Sequence, residues 1–264
     1  MEVIAYLASA FIGVSLGLIG GGGSILTVPV LVYLFGIAPL LATSYSLFIV
    51  GSTSLIGAVN NYRKGQVNLK AALFFGAASI VTVFATRKLI IPAIPEKLFT
   101  IAGHTITSAL ATMVLFGVLM LTASISMIRS KHDDAQEQDC KDCIKFFKLL
   151  GYGIAIGLVT GLLGAGGGFL LIPALVLLLK LPMKKAVGTS LLIIALNSLI
   201  GFAGDLGHFQ IHWKFLLSVS AIAITGLLAG NLISKRIPGS GLKKAFGWFV
   251  LFMGIYIILK EFLK

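Results

Sequence analysis

The sequence predicts an all-α polytopic membrane protein built from two homologous tandem repeats, and three observations lead to this fold class. Of its 264 residues, 58% are apolar and only 11% are charged, whereas about 25% of residues are charged in a typical soluble domain. Eight apolar stretches follow one another along the chain. Finally, the segment GLIGGGGSILTVP at 17–29 recurs 144 positions later as GLLGAGGGFLLIP at 161–173.

The apolar stretches predict the membrane segments. They run over residues 3–35, 39–58, 69–86, 98–128, 149–179, 186–203, 215–233 and 245–259. Most approach or exceed the roughly 20 residues that a spanning helix needs. Because backbone N–H and C=O groups must be paired inside a bilayer, such long runs favour a helical bundle. We expect eight to ten membrane segments, depending on how the first stretch of each repeat is folded.

The repeat extends well beyond the glycine-rich segments. A gapless shift of 144 pairs residues 17–70 with 161–214, and 20 of these 54 pairs are identical. An apolar composition produces some identities, but it does not align two glycine runs and two prolines in one register. We therefore predict a first transmembrane repeat at 1–128, a connecting loop at 129–148 and a second transmembrane repeat at 149–264. Duplicated halves with glycine-interrupted helices are typical of secondary transporters.

The charges predict orientation rather than a nucleic-acid partner. The net charge is +12, but the Lys and Arg residues lie between apolar stretches, where they anchor helices and orient them. Before the first apolar stretch the only charged side chain is Glu2. A cleaved signal peptide has a basic segment there, so we expect the first stretch to be retained as a helix.

The first stretch, 3–35, is too long for one straight helix, which would measure about 50 Å against a hydrocarbon core of about 30 Å. If it crosses once, the Lys and Arg residues divide eleven to ten between the two sides. If the chain turns back at the glycine run, they divide 15 to six and the repeats are inverted. The second division favours inverted repeats with a cytoplasmic central loop and both termini outside. Whether the returning arm crosses fully or is re-entrant stays open.

The two glycine runs predict an anion site. The candidate residues of this site are Gly21, Gly22, Gly23 and Ser24 in the first repeat and Gly166, Gly167 and Gly168 in the second. Glycine permits positive φ and close approach of a ligand to the backbone. A helix that resumes after such a run points unpaired N–H groups and the positive end of its dipole at the turn, and an anion can satisfy both. The alternative is that the glycines only allow close helix packing.

Polar residues in the next helix of each repeat are further candidates for anion binding. The pairs Ser46/Ser190 and Thr53/Asn197 match at the shift of 144. Within each repeat the two positions are seven residues apart, which places them on one face of the helix. Thr189 is added to this set. Ser and Thr in membrane helices also bond their own i−4 carbonyl, so that reading stays open. Pro29 and Pro173 each remove a helical hydrogen bond and are expected to act as hinges.

These motifs resemble the TauE/SafE family of sulfite and organosulfonate exporters. The resemblance is carried by both glycine runs, by AVGTSL at 186–191 and by GQVN at 65–68, and it covers nearly the whole chain. It implies a polytopic transporter of small sulfur-containing anions or related carboxylates. Two departures suggest asymmetry, namely an insertion between Phe99 and Thr112 and the sequence ATSYS at 42–46 in place of AVGTS.

Three ionisable residues near the membrane segments are weighed separately. His104 lies in the inserted apolar stretch and is a candidate for proton coupling, because histidine titrates near neutral pH; the alternative is a histidine at a helix end. Asp205, three residues before His208, is a second candidate, although its position after an apolar stretch favours a solvated loop.

The sequence as a whole predicts a secondary transporter of a small anion, not an enzyme, that works by alternating access in the cell (inner) membrane. Its expected partners are the anion and the lipid bilayer, and we expect no cofactor, no metal and no nucleic acid. The alternative function is a membrane thiol oxidoreductase or relay protein that uses the CxxC pair Cys140 and Cys143 of the central loop. The anion, the direction of transport, the coupling ion and the presence of a homo-oligomer stay open.

Overall fold

The fold is mainly helical. The computed structural model describes residues 2–19, 21–95, 97–101, 104–129, 146–164, 166–179, 181–208, 210–233 and 239–262. Its helices are α1 (Glu2–Ile19), a 3-10 helix (Gly21–Leu26), α2 (Thr27–Tyr33), α3 (Pro39–Arg63), α4 (Leu69–Ala85), a π-helix (Thr86–Ile90), α5 (Ile91–Ala93), α6 (Ser108–Arg129), α7 (Phe146–Leu163), α8 (Gly168–Leu179), α9 (Met183–Asp205), α10 (Trp213–Ile233) and α11 (Gly239–Phe262).

Four helical segments of the described part are long and apolar enough to cross a membrane: Pro39–Arg63, Leu69–Ala93, Lys184–Asp205 and Trp213–Ile233. The second of these joins α4, the π-helix and α5 into one continuous segment. Shorter apolar helical segments occupy Tyr6–Leu18, Ser24–Tyr33, Ser108–Thr122 and Leu150–Leu163.

The stretch 98–128 differs from the expectation of an all-helical membrane segment. Its first part forms an antiparallel hairpin of β1 (Lys97–Ile101) and β2 (His104–Thr107), and α6 begins only at Ser108. The β-branched residues Thr100, Ile101, Thr105, Ile106 and Thr107 are concentrated here, and such residues favour strands over helices. His104 therefore lies in β2 rather than in a helix.

After the first glycine run the chain turns back along α1. The rings of Tyr6, in the first part of α1, and Phe35, which follows α2, make an edge-to-face contact with centroids 5.8 Å apart. A helix that continued straight on from α1 would carry Phe35 far from Tyr6. The arm formed by the 3-10 helix and α2 thus returns to the level at which α1 begins.

The helices α3 and α9 pack against each other in antiparallel directions at the centre of the molecule. Gly51 of α3 lies against Leu199, and Gly57, six residues later, lies against Leu191. Helices α6 and α11 are also antiparallel, since Gly117 lies against Ile258 and Gly254 against Leu121.

Parallel pairs flank the central pair. Along α7, Gly157 lies against Ser79 and Gly161 against Thr86, so α7 runs parallel to α4. Along α1, Gly13 lies against Ala223 and Gly17 against Leu227, so α1 runs parallel to α10. Positions 13 and 157 differ by 144, as do 79 and 223, so the two contacts match at the shift seen in the sequence.

The helix directions define two ends of the molecule, named here for Asp205 and Lys64. At the Asp205 end, near the start of α3, the Tyr45 hydroxyl accepts a hydrogen bond of 2.8 Å from the N–H of His212, just before α10. The Tyr33 hydroxyl at the end of α2 donates a 3.0 Å bond to Glu261 at the end of α11. The Lys64 end carries the last residues of α3 and α10 and the first residues of α4 and α9.

Candidate functional site

The second glycine run forms a tight turn between α7 and α8. Gly164, Gly166 and Gly167 each have a φ of +66°, a conformation that residues with a Cβ rarely adopt. The N–H groups of Leu170 and Leu171 both donate 3.0 Å hydrogen bonds to the carbonyl of Gly167. The first turn of α8 therefore closes directly on the glycine run.

This turn lies against both central helices. A methyl group added at Gly166 would lie 2.7 Å from Val50 Cγ1 in α3, 3.0 Å from Ile194 Cγ2 in α9 and 3.2 Å from the hydroxyl of Ser198. No side chain fits there without displacement of a neighbour. The glycines of this run thus bring backbone, rather than side chains, to the place where α3 and α9 cross.

The first glycine run has a different geometry. We expected an α-helix to resume directly after the glycine run, but Gly21–Leu26 forms a 3-10 helix and α2 starts only at Thr27. Ser24 is buried within that 3-10 helix. The two runs therefore approach the centre with unlike backbones, in line with the asymmetry that the sequence departures suggest.

The polar candidates of α3 and α9 are all buried but differ in their hydrogen bonds. Asn197 donates a 2.7 Å bond to the hydroxyl of Ser79 in α4, and the hydroxyl of Thr189 accepts a 2.9 Å bond from the N–H of Asn68. Thr53 donates to the carbonyl of Ile49 and Ser190 to that of Val187, so both bond their own helix. Among the described residues the hydroxyls of Ser46, Ser54 and Ser198 have no hydrogen-bond partner.

The two prolines occupy different positions in their helices. Pro29 is the third residue of α2, which follows the 3-10 helix directly, and Pro173 lies inside α8. The role of both prolines as hinges stays a prediction.

A buried ion pair that the sequence did not predict lies at the Asp205 end. Asp205 is the last residue of α9 rather than part of a solvated loop, and its carboxylate accepts a 3.0 Å bond from Nη1 of Arg87 in the π-helix. The side chains are 0% and 1% exposed. The same Nη1 donates a 3.1 Å bond to the hydroxyl of Thr43 in α3. Three helical segments thus meet at one guanidinium.

Sequence reasoning counted Arg87 only as a charge that orients the protein. One signal was available: Arg87 lies between the apolar stretch 69–86 and the apolar residues 89–91, and a charged residue within a membrane segment is a functional candidate by default. The partner is 118 positions away, so no local pattern links the two. The other proposed residues for proton coupling and redox chemistry are less informative, since only the backbone placement of His104 in β2 is described, and Cys140 and Cys143 lie outside the described residues.

Comparison with known proteins decides the family. The family model described as Sulfite exporter TauE/SafE matches residues 5–257. The chain belongs to the TauE/SafE family. This confirms the resemblance seen in the sequence motifs. No solved structure matches it.

Several curated relatives are similar to this TauE/SafE protein over nearly their whole length. A probable membrane transporter protein of Xylella fastidiosa (strain Temecula1) is 28% identical over 98% of this chain and 95% of its own. A probable membrane transporter protein of Methanocaldococcus jannaschii is 26% identical over 94% of this chain and 92% of its own. The Bacillus subtilis protein YdhB, also named a probable membrane transporter, is 28% identical over 92% and 94%. The TauE/SafE protein described here is accordingly a membrane transporter and not an enzyme.

Proposed function

We propose that this protein carries a small anion of the sulfite or sulfonate class across the cell membrane by alternating access. The observation that carries the proposal is the turn made by Gly164, Gly166 and Gly167 before α8, whose Gly166 backbone lies against Val50 of α3 and Ile194 of α9. The N–H groups at a helix start and its dipole attract an anion without a buried basic side chain. The family description, which names a sulfite exporter, supports the choice of anion.

The proposed site comprises the two glycine runs and the buried polar side chains beside them. Its backbone part is Gly21, Gly22, Gly23, Gly166, Gly167 and Gly168, and its side-chain part is Ser24, Ser46, Thr53, Thr189, Ser190 and Asn197. We add Ser198, because its hydroxyl lies close to Gly166. The side chains of Ser46 and Ser198 have unbonded hydroxyls within the described part of the chain and can donate to an oxyanion.

The proposed transport cycle rests on two inverted repeats, 1–128 and 149–264, joined by residues 129–148. The matched helices α3 and α9 run antiparallel, as do α6 and α11, which supports an inverted arrangement. Rocking of one repeat against the other about a central site would expose the anion to each side in turn. Pro29 in α2 and Pro173 in α8 are the proposed hinges.

Replacement of Gly166 by alanine tests the site. The new methyl group would contact Val50 and Ile194, and its positive φ costs about 1–2 kcal/mol. We expect sulfite flux into proteoliposomes to fall by about tenfold or more. Gly151→Ala is the matched control, because an added methyl group at Gly151 meets nothing within 4 Å. Equal flux in the wild type and in Gly166→Ala would overturn the proposed site.

A further inference from the structure

The guanidinium of Arg87 is only partly used by its neighbours. Its Nη1 bonds Asp205 and Thr43, whereas Nε and Nη2 have no hydrogen-bond partner in the part of the chain that the structure describes. Nε and Nη2 form the edge of the guanidinium that binds two oxygens of a carboxylate or phosphate side by side. This edge is buried, since Arg87 is 0% exposed, and it forms a complete bidentate fork for an oxyanion that enters beside the side chain.

The fold makes room for this side chain at some cost. The π-helix that carries Arg87 interrupts the regular helix, a feature often found at functional sites. On the facing helix, Gly204 supplies the space, since a methyl group there would lie 3.1 Å from Arg87 Cβ. Burying two charges costs desolvation free energy. In a purely structural ion pair this cost is best offset when every donor is hydrogen-bonded. Two donors without a partner in the described part of the chain are therefore available to a ligand.

A cavity of about 180 Å³ adjoins the ion pair. Arg87 and Asp205 line it together with Leu40, Ile91, Pro92 and His208. His208 is exposed, so the cavity lies next to the surface at the Asp205 end. An anion of the size of sulfite or sulfate fits this volume, and the apolar walls of the cavity would strengthen its attraction to the guanidinium.

The opposite end of the molecule has a matching cavity without the ion pair. It has a volume of about 240 Å³ and is lined by Asn60, Lys64 and Asn231, with Leu228 and Leu232. The shift of 144 pairs Asn231 with Arg87 and Lys64 with His208. The fold thus provides two equivalent positions, and only the one at the Asp205 end carries a buried guanidinium.

We propose that the cavity at the Asp205 end binds a free oxyanion such as sulfite, sulfate or a sulfonate, held by Nε and Nη2 of Arg87. Asp205 is the counter-ion of Arg87 and holds the guanidinium in place in the absence of an anion. When an anion binds, the negative charge of Asp205 repels it and lowers its affinity. The site differs from the glycine turns in its donors, although Gly164 lies against Thr43, which Arg87 also bonds. It rests on the proposed function only for its role, which is to receive or release the transported anion on one side of the protein.

Binding of sulfite to purified protein in detergent, measured by titration calorimetry, tests the site. Asp205→Asn removes the repulsive carboxylate and should tighten sulfite binding by about tenfold, while Arg87→Lys, which keeps the charge but not the fork, should weaken it by about tenfold. Lys88→Gln is the control for net charge, since Lys88 is the exposed neighbour of Arg87; it should leave binding unchanged. Methanesulfonate should behave as sulfite does, and chloride, which cannot bind two donors side by side, should bind weakly.

A purely structural ion pair gives a different result. In that case Asp205→Asn lowers the thermal stability without tightening sulfite binding, and this outcome overturns the proposal. If Arg87→Lys does not fold, the double variant Arg87→Gln/Asp205→Asn removes both charges together, and it should fold but lose the site. Repeating the titration in Gly166→Ala separates this site from the glycine turns. Sulfite binding that vanishes in Gly166→Ala and persists in the double variant also contradicts the proposal. Loss of flux in Gly166→Ala with unchanged binding supports a separate Arg87 site.

Discussion

Buried hydroxyl and amide groups in α3 and α9 fall into three classes according to their hydrogen-bond partners. Thr53 and Ser190 bond carbonyls of their own helix, which satisfies them without any ligand. Asn197 reaches across to Ser79 of α4, and the Ser46 hydroxyl has no partner among the described residues. The heptad spacing could predict that these positions share a face, but not which hydroxyls turn back on their own backbone, because that depends on the rotamer each neighbour allows.

Asn197 and Ser79 offer a matched test of ligand binding at the residue scale. Asn197→Ala and Ser79→Ala both remove the same interhelical hydrogen bond, which is worth about 0.6 kcal/mol in a membrane protein. Only Asn197→Ala removes a group of the proposed site, so it should lower the apparent affinity for transported sulfite by about tenfold while Ser79→Ala does not. Proteoliposome flux as a function of sulfite concentration measures this. Equal loss in both variants would show that the bond acts only on the helix packing.

Asp205 shows where local pattern fails. Its charge, at the end of the apolar stretch 186–203, suggested a solvated loop, yet α9 continues to Asp205 and buries it. The reason is Arg87, whose guanidinium replaces the water that the carboxylate would otherwise require. A residue 118 positions away decides the burial, and a reading of the sequence one segment at a time does not contain that information.

Glycine sets the distance between helices at the element scale. Gly157 packs against the backbone of Ser79 in α4, and Gly13 packs in the same way against Ala223 in α10. Both pairs of helices run close together because small residues let backbones approach. The helices and the repeat that relates them could be predicted from the sequence, because the lengths of the apolar stretches and the shift of 144 are visible in it. It could not predict the hairpin at Lys97–Thr107, because an apolar run rich in β-branched residues fits either state.

The two matched glycines provide a prediction about this packing. Gly13→Val and Gly157→Val each place a side chain against a facing backbone, which costs about 1–3 kcal/mol of overpacking. If the repeats are equivalent, the two variants should lose similar thermal stability, by several degrees in each case. Thermal unfolding of the purified protein in detergent measures the loss. Gly151→Val is the control, since open space surrounds Gly151, and a large difference between the two matched variants would contradict equivalent packing.

At the scale of the whole molecule, the helix directions and the charges lead to the same topology. The start of α1 and the end of the returning arm both lie at the Asp205 end, so α3 runs from the Asp205 end to the Lys64 end. If the arm after the first glycine run returns, the sequence count assigns 15 of the 21 Lys and Arg residues to the connecting segments at the Lys64 end. The excess of basic residues favours the cytoplasmic side. We therefore predict that the Lys64 end faces the cytoplasm.

Single cysteines at matched positions test this orientation. Lys64 and His208 are both exposed, they lie at opposite ends, and they correspond at the shift of 144. In a Cys140→Ser/Cys143→Ser background, which lacks both native cysteines, a membrane-impermeant thiol reagent should label His208→Cys in intact cells and Lys64→Cys only in inverted vesicles. The background should keep its sulfite flux, because transport by the glycine site uses no thiol; loss of flux would favour the thiol-relay alternative. Labelling of both cysteines from the same side would contradict the inverted repeats, because matched positions in inverted repeats must face opposite sides of the membrane.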